Sequence, residues 1–337
     1  MNSLERVTAA VRLQEVDRVP VIPQVFGHAA AVSGVPLDAY VRDGELIARC
    51  QMKALEKYGY DAVFTVMDVG VETEALGSVL RYNKGQYPVV ERYALTRDNE
   101  LSGLAVPDPY HAGRMPEMMK ALRMLRRELG DDYLIVGCVL GPLTLASQLL
   151  GAEATLYMAI DEPDRLEGLI GFCAGVVTRF GLAQIEAGAH LPIVFDPFAS
   201  PAVVPAGFFR ELELPRLKTV FEAFRGAGAA ANWLHIAGPT QTILPFYAQA
   251  GVDIANFDYC VTPEDATHCL PHTCLDGNIK SLLFVEGSPE EIRAQALTLM
   301  DAHAVRGGFI LSSGCEIPPE SKEENVAAMV EASRHEG

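Results

Sequence analysis

Eight short apolar stretches recur along the chain, and longer segments with a helical pattern separate them. The stretches are rich in valine, isoleucine and phenylalanine, and most of them are apolar at every position. Strands that are buried on both faces of a parallel sheet have this continuous pattern, whereas half-exposed strands alternate. We therefore predict eight strands, over residues 19–26, 61–67, 133–140, 192–195, 232–236, 252–257, 273–278 and 309–312.

The segments between these stretches contain residues that are typical of helix starts. Ser288 precedes a proline and stands three residues before Glu291, which predicts a capping box with proline at the first helical position. Residues 321–324 (Ser-Lys-Glu-Glu) predict a second capping box, and residues 262–264 (Thr-Pro-Glu) predict another helix start. Eightfold alternation of strand and helix predicts an α/β fold, a single (β/α)8 barrel of the TIM type. A doubly wound open sheet is the alternative.

One connection departs from this regular alternation. Residues 72–130 are long for a single crossover and contain several glycines, prolines and tyrosines, with a helix predicted over 115–129. We interpret residues 72–130 as an insertion after the second strand, near the mouth of the barrel. Residues 3–17 predict a helix that caps the barrel. Because no linker, repeat or low-complexity tract interrupts the chain, residues 1–337 are expected to form one domain.

The composition narrows the class of protein. The chain has 337 residues, 49% of them hydrophobic, and a formal net charge of −17, which argues against nucleic acid and anionic membranes as partners. No uninterrupted apolar run approaches the roughly 18 residues of a transmembrane helix, and no secretory signal is evident. Seven dispersed cysteines are typical of reduced thiols, so we expect a cytoplasmic protein.

Polar side chains follow almost every predicted strand. In such barrels the active site lies at the C-terminal ends of the strands, so these side chains are expected to meet at one mouth. Each has an alternative role as a cap of the next helix, because aspartate and asparagine are favoured there. The sequence contains neither a dinucleotide-binding glycine pattern nor a P-loop. The candidates are Gln24, His28, Asp68, Glu72, Thr144, Asp196, Ser200, His235, Asn256, Asp258, Tyr259, Asp276, Asn278, Cys315 and Glu316.

Several of these residues lie in motifs that resemble a known superfamily. Residues 141–146 (GPLTLA), 186–189 (EAGA), 196–200 (DPFAS) and 277–279 (GNI) resemble motifs of the uroporphyrinogen decarboxylase-like superfamily, in the same order. Residues 314–320 (GCEIPPE) resemble the corresponding element of its corrinoid-dependent methyltransferase branch. The resemblance covers nearly the whole chain and implies a (β/α)8 barrel and an enzyme, a transferase.

The decarboxylases of this superfamily are the less favoured branch. They carry an N-terminal element, R-Q-A-G-R, whose arginines bind the carboxylates of the substrate. The matching residues 23–28 (PQVFGH) contain no arginine. A polycarboxylate without guanidinium partners would lie against an acidic mouth, which is electrostatically unfavourable.

The methyltransferases of the superfamily transfer a methyl group from methyl-cob(III)alamin, carried by a corrinoid protein, to an acceptor such as the thiol of coenzyme M. In those enzymes a His-x-Cys…Cys set binds zinc, which activates the thiol. His235 and Cys315 match that set, but Ala237 replaces the first cysteine. Cys260 and Glu316 are candidate replacements for the missing ligand. We predict a protein without zinc; if zinc is present, His235 and Cys315 are its predicted ligands.

An acceptor that is already nucleophilic needs no zinc. Tetrahydrofolate offers N5, an unprotonated amine at neutral pH, and its pterin edge presents adjacent donors to a carboxylate. We therefore predict methylcobalamin on a partner corrinoid protein as the donor and tetrahydrofolate as the acceptor. Asp196 is the first choice for the pterin carboxylate, because it ends an apolar strand with no other polar group nearby, and the folate tail is expected near Arg81 or Lys84. The predicted substrate-binding residues are Asp68, Asp196, His235, Asn256, Asp258 and Asn278.

Three other functions stay open at this stage. The first alternative is a zinc-dependent methylcobamide:coenzyme M methyltransferase. A uroporphyrinogen decarboxylase and a non-catalytic corrinoid binder are less favoured. The sequence does not name the upstream methyl donor.

Overall fold

The computed structural model describes residues 1–96 and 103–334. Seven parallel strands form one sheet, in which they lie side by side in their order along the chain. A doubly wound sheet reverses its strand order at a switch point, so the observed order excludes that alternative. The strands are β1 (Ala62–Phe64), β2 (Val79–Arg81), β3 (Val89–Arg92), β4 (Leu134–Leu140), β5 (Leu191–Phe195), β6 (Trp233–His235), β7 (Ile254–Asn256), β8 (Cys274–Ile279) and β9 (Phe309–Ser313).

The first of the eight predicted strands is reduced to a single bridge between Val21 and Leu311. On one side, Ile22 N donates to Leu311 O over 2.9 Å, and on the other Asp61 N donates to Val21 O over 2.8 Å. Residues 20–22 therefore lie between β9 and β1 and connect the two edges of the sheet into a barrel. Pro20 begins this segment and Pro23 follows it, and because proline has no N–H to donate, the ladder stays short.

Helices surround the sheet. Helix α1 ends at Val11 and is shorter than the predicted 3–17, because Leu13 adopts a positive φ of 54°. The helices are α1 (Ser3–Val11), α2 (Gly27–Ser33), α3 (Leu37–Tyr40), α4 (Gly44–Tyr58), α5 (Val71–Ala75), α6 (Met115–Leu129), α7 (Pro142–Leu150), α8 (Ala152–Asp161), α9 (Pro163–Glu186), α10 (Ala206–Phe208), α11 (Leu214–Gly226), α12 (Leu244–Ala250), α13 (Pro263–Cys269), α14 (Leu283–Glu286), α15 (Pro289–His303) and α16 (Glu323–Ala332).

Two of the three predicted helix starts are confirmed. Ser288 and Glu291 form the predicted capping box of α15, and Thr262 caps α13 through Asp265 N. The capping box predicted at 321–324 is wrong. Helix α16 begins at Glu323, so Lys322 occupies the N-cap position, and the buried Ser321 hydroxyl has no hydrogen-bond partner among the described residues.

Helix α9 is the one helix in the described chain that is long and apolar enough to cross a bilayer. Charged residues interrupt its apolar run, so the run is not long enough in the sequence to predict a transmembrane helix. More than half of its most apolar stretch is buried inside the protein, where it packs against α7 and α11. We interpret it as a core helix of the outer layer of the barrel.

The long connection after β1 contains α5, an antiparallel hairpin of β2 and β3, and α6. Helix α6 covers the predicted 115–129 and packs against α4 before the chain enters β4. Tyr87, in the loop between β2 and β3, hydrogen-bonds Glu316 just after β9. The hairpin thus reaches the C-terminal end of the sheet. Residues 97–102 of this connection lie outside the described residues.

Candidate active site

A cavity of about 220 Å³ opens at the C-terminal ends of the strands. It lies where the barrel fold places active sites, and it contains both His235, at the end of β6, and Cys315, after β9. The prediction that these two residues share one mouth is confirmed. The cavity is lined by Gln24, Phe26, Val66, Asp68, Val69, Tyr87, Cys138, Leu140, Phe195, Pro197, His235, Ala237, Cys315 and Glu316.

His235 is a neutral hydrogen-bonding group in this cavity. Burial lowers the pKa of its imidazole to about 3, so the ring carries no charge at neutral pH. Its Nδ1 lies 3.1 Å from the amide nitrogen of Gln24, which itself is fully buried. With the Gln24 amide donating, Nδ1 accepts and the ring hydrogen sits on Nε2. The Phe195 ring packs against the imidazole at a centroid distance of 4.8 Å and fixes its orientation.

Among the described residues that line the cavity, the possible metal ligands do not form a three-ligand zinc site. Ala237 lines the wall and has no donor atom. Cys260, a predicted replacement, is exposed and does not line the cavity. Within residues 1–96 and 103–334, no group of three histidine, cysteine or acidic side chains converges as metal ligands would. Burial raises the pKa of Cys315 to about 11, so this thiol is protonated at neutral pH.

Asp68 lines the cavity, but its two oxygens are held by the protein. Arg114 forms a bidentate pair with it, through Nη1 to Oδ2 and through Nη2 to Oδ1 at 3.0 Å. Gly70 N donates to Oδ1 over 2.7 Å, and Glu74 pairs with Arg114 Nε over 2.7 Å. Arg114 and Asp68 are both buried, and a bidentate hydrogen-bonded pair between charged groups is strong. Asp68 therefore anchors the segment after β1 to the start of α6.

Asp196 does not line the cavity, and the reason for ranking it first is wrong. Its Oδ1 accepts from Thr144 N over 2.8 Å and from Thr144 Oγ1 over 2.6 Å. A Cβ on Gly141 would lie 2.2 Å from Asp196 Cγ, so the carboxylate packs directly on the start of α7. Glu213, fully buried, lies close enough to the Asp196 carboxyl group to interact with it. Thr144 and Glu213, both distant in the chain, thus lie against Asp196, and its carboxylate caps the start of α7.

The other three predicted substrate-binding residues also lie outside the cavity lining. Asp258 accepts from Gly238 N over 2.8 Å and from Tyr259 N over 2.7 Å, and so ties two loops together. Asn278 donates to the carbonyl oxygens of Asp258 and Val261 over 3.2 and 2.8 Å. These residues organise the strand ends next to the cavity.

Asn256 belongs to a polar network inside the barrel. Its Nδ2 donates to Asp276 Oδ2 over 3.0 Å, and the indole nitrogen of Trp233 donates to the same oxygen over 3.1 Å. Burial raises the pKa of Asp276 to about 7. Of the six predicted residues, the structure brings Asp68 and His235 to the cavity wall.

Tyr87 and Glu316 are the cavity residues that sequence reasoning undervalued. The Tyr87 hydroxyl donates to Glu316 Oε1, and Gly27 N lies 3.2 Å from the same oxygen. Burial raises the pKa of Glu316, and these two donors oppose the rise. The sequence indicates Glu316 as a polar residue of the mouth and as a candidate zinc ligand, but it does not indicate a role in binding the substrate. Nothing in the local sequence around Tyr87 connects it with a residue 229 positions away.

These features define the class of protein as a parallel α/β barrel with a small, largely apolar ligand cavity at the strand ends, of the kind that small-molecule enzymes use. A family model described as "Uroporphyrinogen decarboxylase (URO-D)" matches residues 2–336. The chain therefore belongs to the uroporphyrinogen decarboxylase family, and the prediction that it is an enzyme of this superfamily is confirmed.

Within the family the chain is similar to methyltransferases. It is 26% identical to a methylcobamide:CoM methyltransferase MtbA of Methanosarcina mazei over 98% of this chain and 97% of the relative. It is 28% identical to an MtaA of Methanosarcina barkeri over 97% and 96% of the two chains. A solved structure titled "methyltransferase from Methanosarcina mazei" superposes with a TM-score of 0.91, at 27% identity, over 99% of this chain and 98% of that one. The predicted resemblance to the corrinoid-dependent methyltransferase branch and the predicted barrel fold are confirmed.

Decarboxylases of the family are also related to the chain. A uroporphyrinogen decarboxylase of Magnetococcus marinus is 25% identical over 100% of this chain and 98% of the relative. Two B12-independent methionine synthases have TM-scores of 0.60 and 0.55 at 14% and 15% identity, which shows a shared fold only.

Proposed function

We propose that the protein is a cytoplasmic methyltransferase that transfers a methyl group from a methyl-cob(III)alamin, carried by a partner corrinoid protein, to tetrahydrofolate without zinc. The observation that carries this proposal is Ala237. It lines the same cavity as His235 and Cys315, at the position that a third ligand occupies in the zinc set. A thiol acceptor needs activation to a thiolate, whereas the N5 amine of tetrahydrofolate does not.

The cavity supports an orienting role for the protein. The corrinoid, when bound, supplies an electrophilic methyl group. The apolar side chains of Phe26, Leu140 and Phe195 line the cavity and exclude water from it. Neutral His235, held by Gln24, presents Nε2–H to a lone pair of the acceptor. Proximity and alignment of the two reactants are then the main contributions to the rate.

The size and charge of the cavity support an acceptor that enters with one ring. About 220 Å³ accommodates a pterin ring but falls below the roughly 300–1,000 Å³ of sites that enclose a whole drug-sized ligand. The glutamate tail of the folate would then lie outside. Arg81 and Lys84 are exposed on the hairpin whose Tyr87 lines the cavity, so both are available to an anionic tail.

Transfer to a thiol is the second candidate. It is favoured by the similarity to methylcobamide:CoM methyltransferases and by the shared cavity of His235 and Cys315. Decarboxylation of a tetrapyrrole polycarboxylate is disfavoured, because neither arginine nor lysine is among the described cavity residues and the cavity is too small for a macrocycle.

Turnover of free methylcobalamin tests the proposal. The purified protein is mixed with methylcobalamin and either tetrahydrofolate or coenzyme M, and demethylation is followed by absorbance with and without a zinc chelator. We expect tetrahydrofolate-dependent demethylation that the chelator does not reduce. Chelator-sensitive turnover with coenzyme M would replace the proposal with the thiol reaction. No turnover with either acceptor would favour the non-catalytic corrinoid binder.

A further inference from the structure

The two carboxylate oxygens of Glu316 differ, because one accepts hydrogen bonds from the protein and the other is left to accept them from a ligand. Oε1 accepts from the Tyr87 hydroxyl and from Gly27 N. Oε2 has no hydrogen-bond partner among residues 1–96 and 103–334, although the side chain lines the cavity. A carboxylate has about four acceptor positions, so this group can accept at least two further hydrogen bonds from a ligand.

Asp68 and His235, which also line the cavity, do not have this capacity. Asp68 is neutralised by its bidentate pair with Arg114. His235 accepts from Gln24 at one nitrogen and is uncharged. Gln24 contributes a buried amide oxygen that has no partner in the described chain, and it lines the same cavity. Besides the Nε2–H of His235, the cavity therefore offers the acceptors Glu316 Oε2 and Gln24 Oε1 to a ligand that brings donors.

The fold fixes the direction of the Glu316 side chain. Gly27 N lies 3.0 Å from the Tyr87 hydroxyl oxygen, which places the three groups in one compact cluster. A Cβ on Gly27 would lie 2.7 Å from that oxygen and 2.9 Å from Pro319 Cγ. Glycine is thus needed at position 27 for the close approach that pins Oε1 and leaves Oε2 for the ligand.

We propose that Glu316 determines which acceptor the enzyme uses: Oε2 binds an acceptor that brings N–H donors, such as the pterin edge, and repels an anionic thiol. The inference rests on the proposed function and assigns its specificity to one residue. Coenzyme M carries a sulfonate and no N–H donor, so beside a half-buried carboxylate it meets like charge in a site with little water. An amino-pyrimidinone edge gains charge-assisted hydrogen bonds in the same place.

Glu316→Gln tests this assignment. The new amide keeps the shape of the side chain, and its oxygen can accept from Tyr87 and Gly27, which turns its NH₂ group toward the ligand. In this variant the NH₂ group of the side chain faces the N–H donors of the pterin edge, and the negative charge of the carboxylate is removed. We expect the Kd for tetrahydrofolate to rise roughly 10- to 100-fold, the usual effect of leaving buried donors unpaired, and the Kd for coenzyme M to fall. Calorimetry measures both, and the Kd for free methylcobalamin should stay unchanged.

Two further variants control the experiment. Glu320→Gln removes an exposed carboxylate four residues away and should leave all three affinities unchanged. Tyr87→Phe keeps the charge of Glu316 but removes the donor that orients it, so tetrahydrofolate binding should weaken by a smaller factor. This variant also tests the idea if Glu316→Gln does not fold.

The outcomes separate the inference from the proposed function. If the wild-type protein binds tetrahydrofolate and Glu316→Gln binds it equally well, the assignment of Glu316 is wrong and the proposed function stands. If Glu316→Gln weakens tetrahydrofolate, coenzyme M and methylcobalamin alike, the residue is structural and the assignment is also wrong. If the wild-type protein does not bind tetrahydrofolate at all, the proposed function and the inference are both overturned.

Discussion

Asp196 holds Thr144 through a single oxygen, which accepts both the backbone N–H and the hydroxyl group of that residue, at 2.8 and 2.6 Å. Thr144 lies in the first turn of α7, where backbone N–H groups have no partner within the helix. The carboxylate that follows β5 thus fastens the helix that follows β4. This contact changes what a substitution at Asp196 is expected to do.

Asp196→Ala should lower stability and leave tetrahydrofolate affinity unchanged. The variant leaves two buried donors of Thr144 unpaired, so the free energy of unfolding should fall by roughly 2–6 kcal/mol, at about 1–3 kcal/mol for each donor. Urea denaturation and calorimetry measure the two quantities. Asp196→Asn keeps an acceptor oxygen and should bind tetrahydrofolate like the wild type. Weakened binding by this milder variant would restore Asp196 as the pterin carboxylate.

The error at Asp196 shows where sequence reasoning stopped. Continuous apolar runs indicated seven of the strands, because burial on both faces leaves that pattern in the sequence. The order of those strands then placed His235 and Cys315 at one mouth. What surrounds Asp196 is set by Thr144 and by Glu213, which lie 52 and 17 residues away in the chain and reach it only in the folded protein.

The hydrogen bond of Tyr87 and the short strand pairing of Val21 were also not fully predictable from the local sequence. A tyrosine in a hairpin loop has no local feature that predicts a contact with Glu316. The apolar run at 19–26 did predict a segment between the edges of the sheet, but its prolines reduce the ladder to the bridge at Val21. The positions of the strands were therefore more predictable from the sequence than the hydrogen-bond partners of individual side chains.

Glu213 makes the stability of the protein dependent on pH. Burial raises the pKa of Glu213 well above its usual value, and Asp196 raises it further; burial also raises the pKa of Asp196. A raised carboxyl pKa means that the native state keeps protons that the unfolded state loses. This stabilisation is complete below the unfolded pKa of about 4 and is lost as pH rises through the folded values, by up to about 1.4 kcal/mol per pH unit for each retained proton.

Glu213→Gln should remove most of this dependence, because its amide can donate to Asp196 without a proton from solution. Urea denaturation at pH 5 and pH 9 should show the variant gaining stability relative to the wild type as pH rises. Glu222→Gln, at an exposed position of α11, is the matched control and should leave the pH profile unchanged. A wild-type stability that stays constant between the two pH values would contradict the buried acid pair.

Asp61→Ala should destabilise the closure of the barrel. The buried carboxylate accepts from Ser3, Arg6, Arg18 and the backbone N–H of Val21, at 2.7–2.9 Å. Without it, two guanidinium groups lose their buried partner, and breaking a buried pair in this way costs roughly 3–5 kcal/mol. Chemical denaturation measures the loss. Asp17→Ala removes the more exposed partner of Arg6 and should cost less, and equal losses would argue against a special role for Asp61.

Ala237→Cys should give the protein a zinc site with three protein ligands. The new thiolate would join His235 and Cys315, which already line the cavity with Ala237, and three ligands with an open fourth position suit catalytic zinc. Elemental analysis after dialysis against zinc should find well under one zinc per wild-type chain and about one per variant chain. Ala237→Ser, of similar size with a poor ligand atom, is the matched control. Stoichiometric zinc in the wild-type protein would contradict the prediction and favour transfer to a thiol.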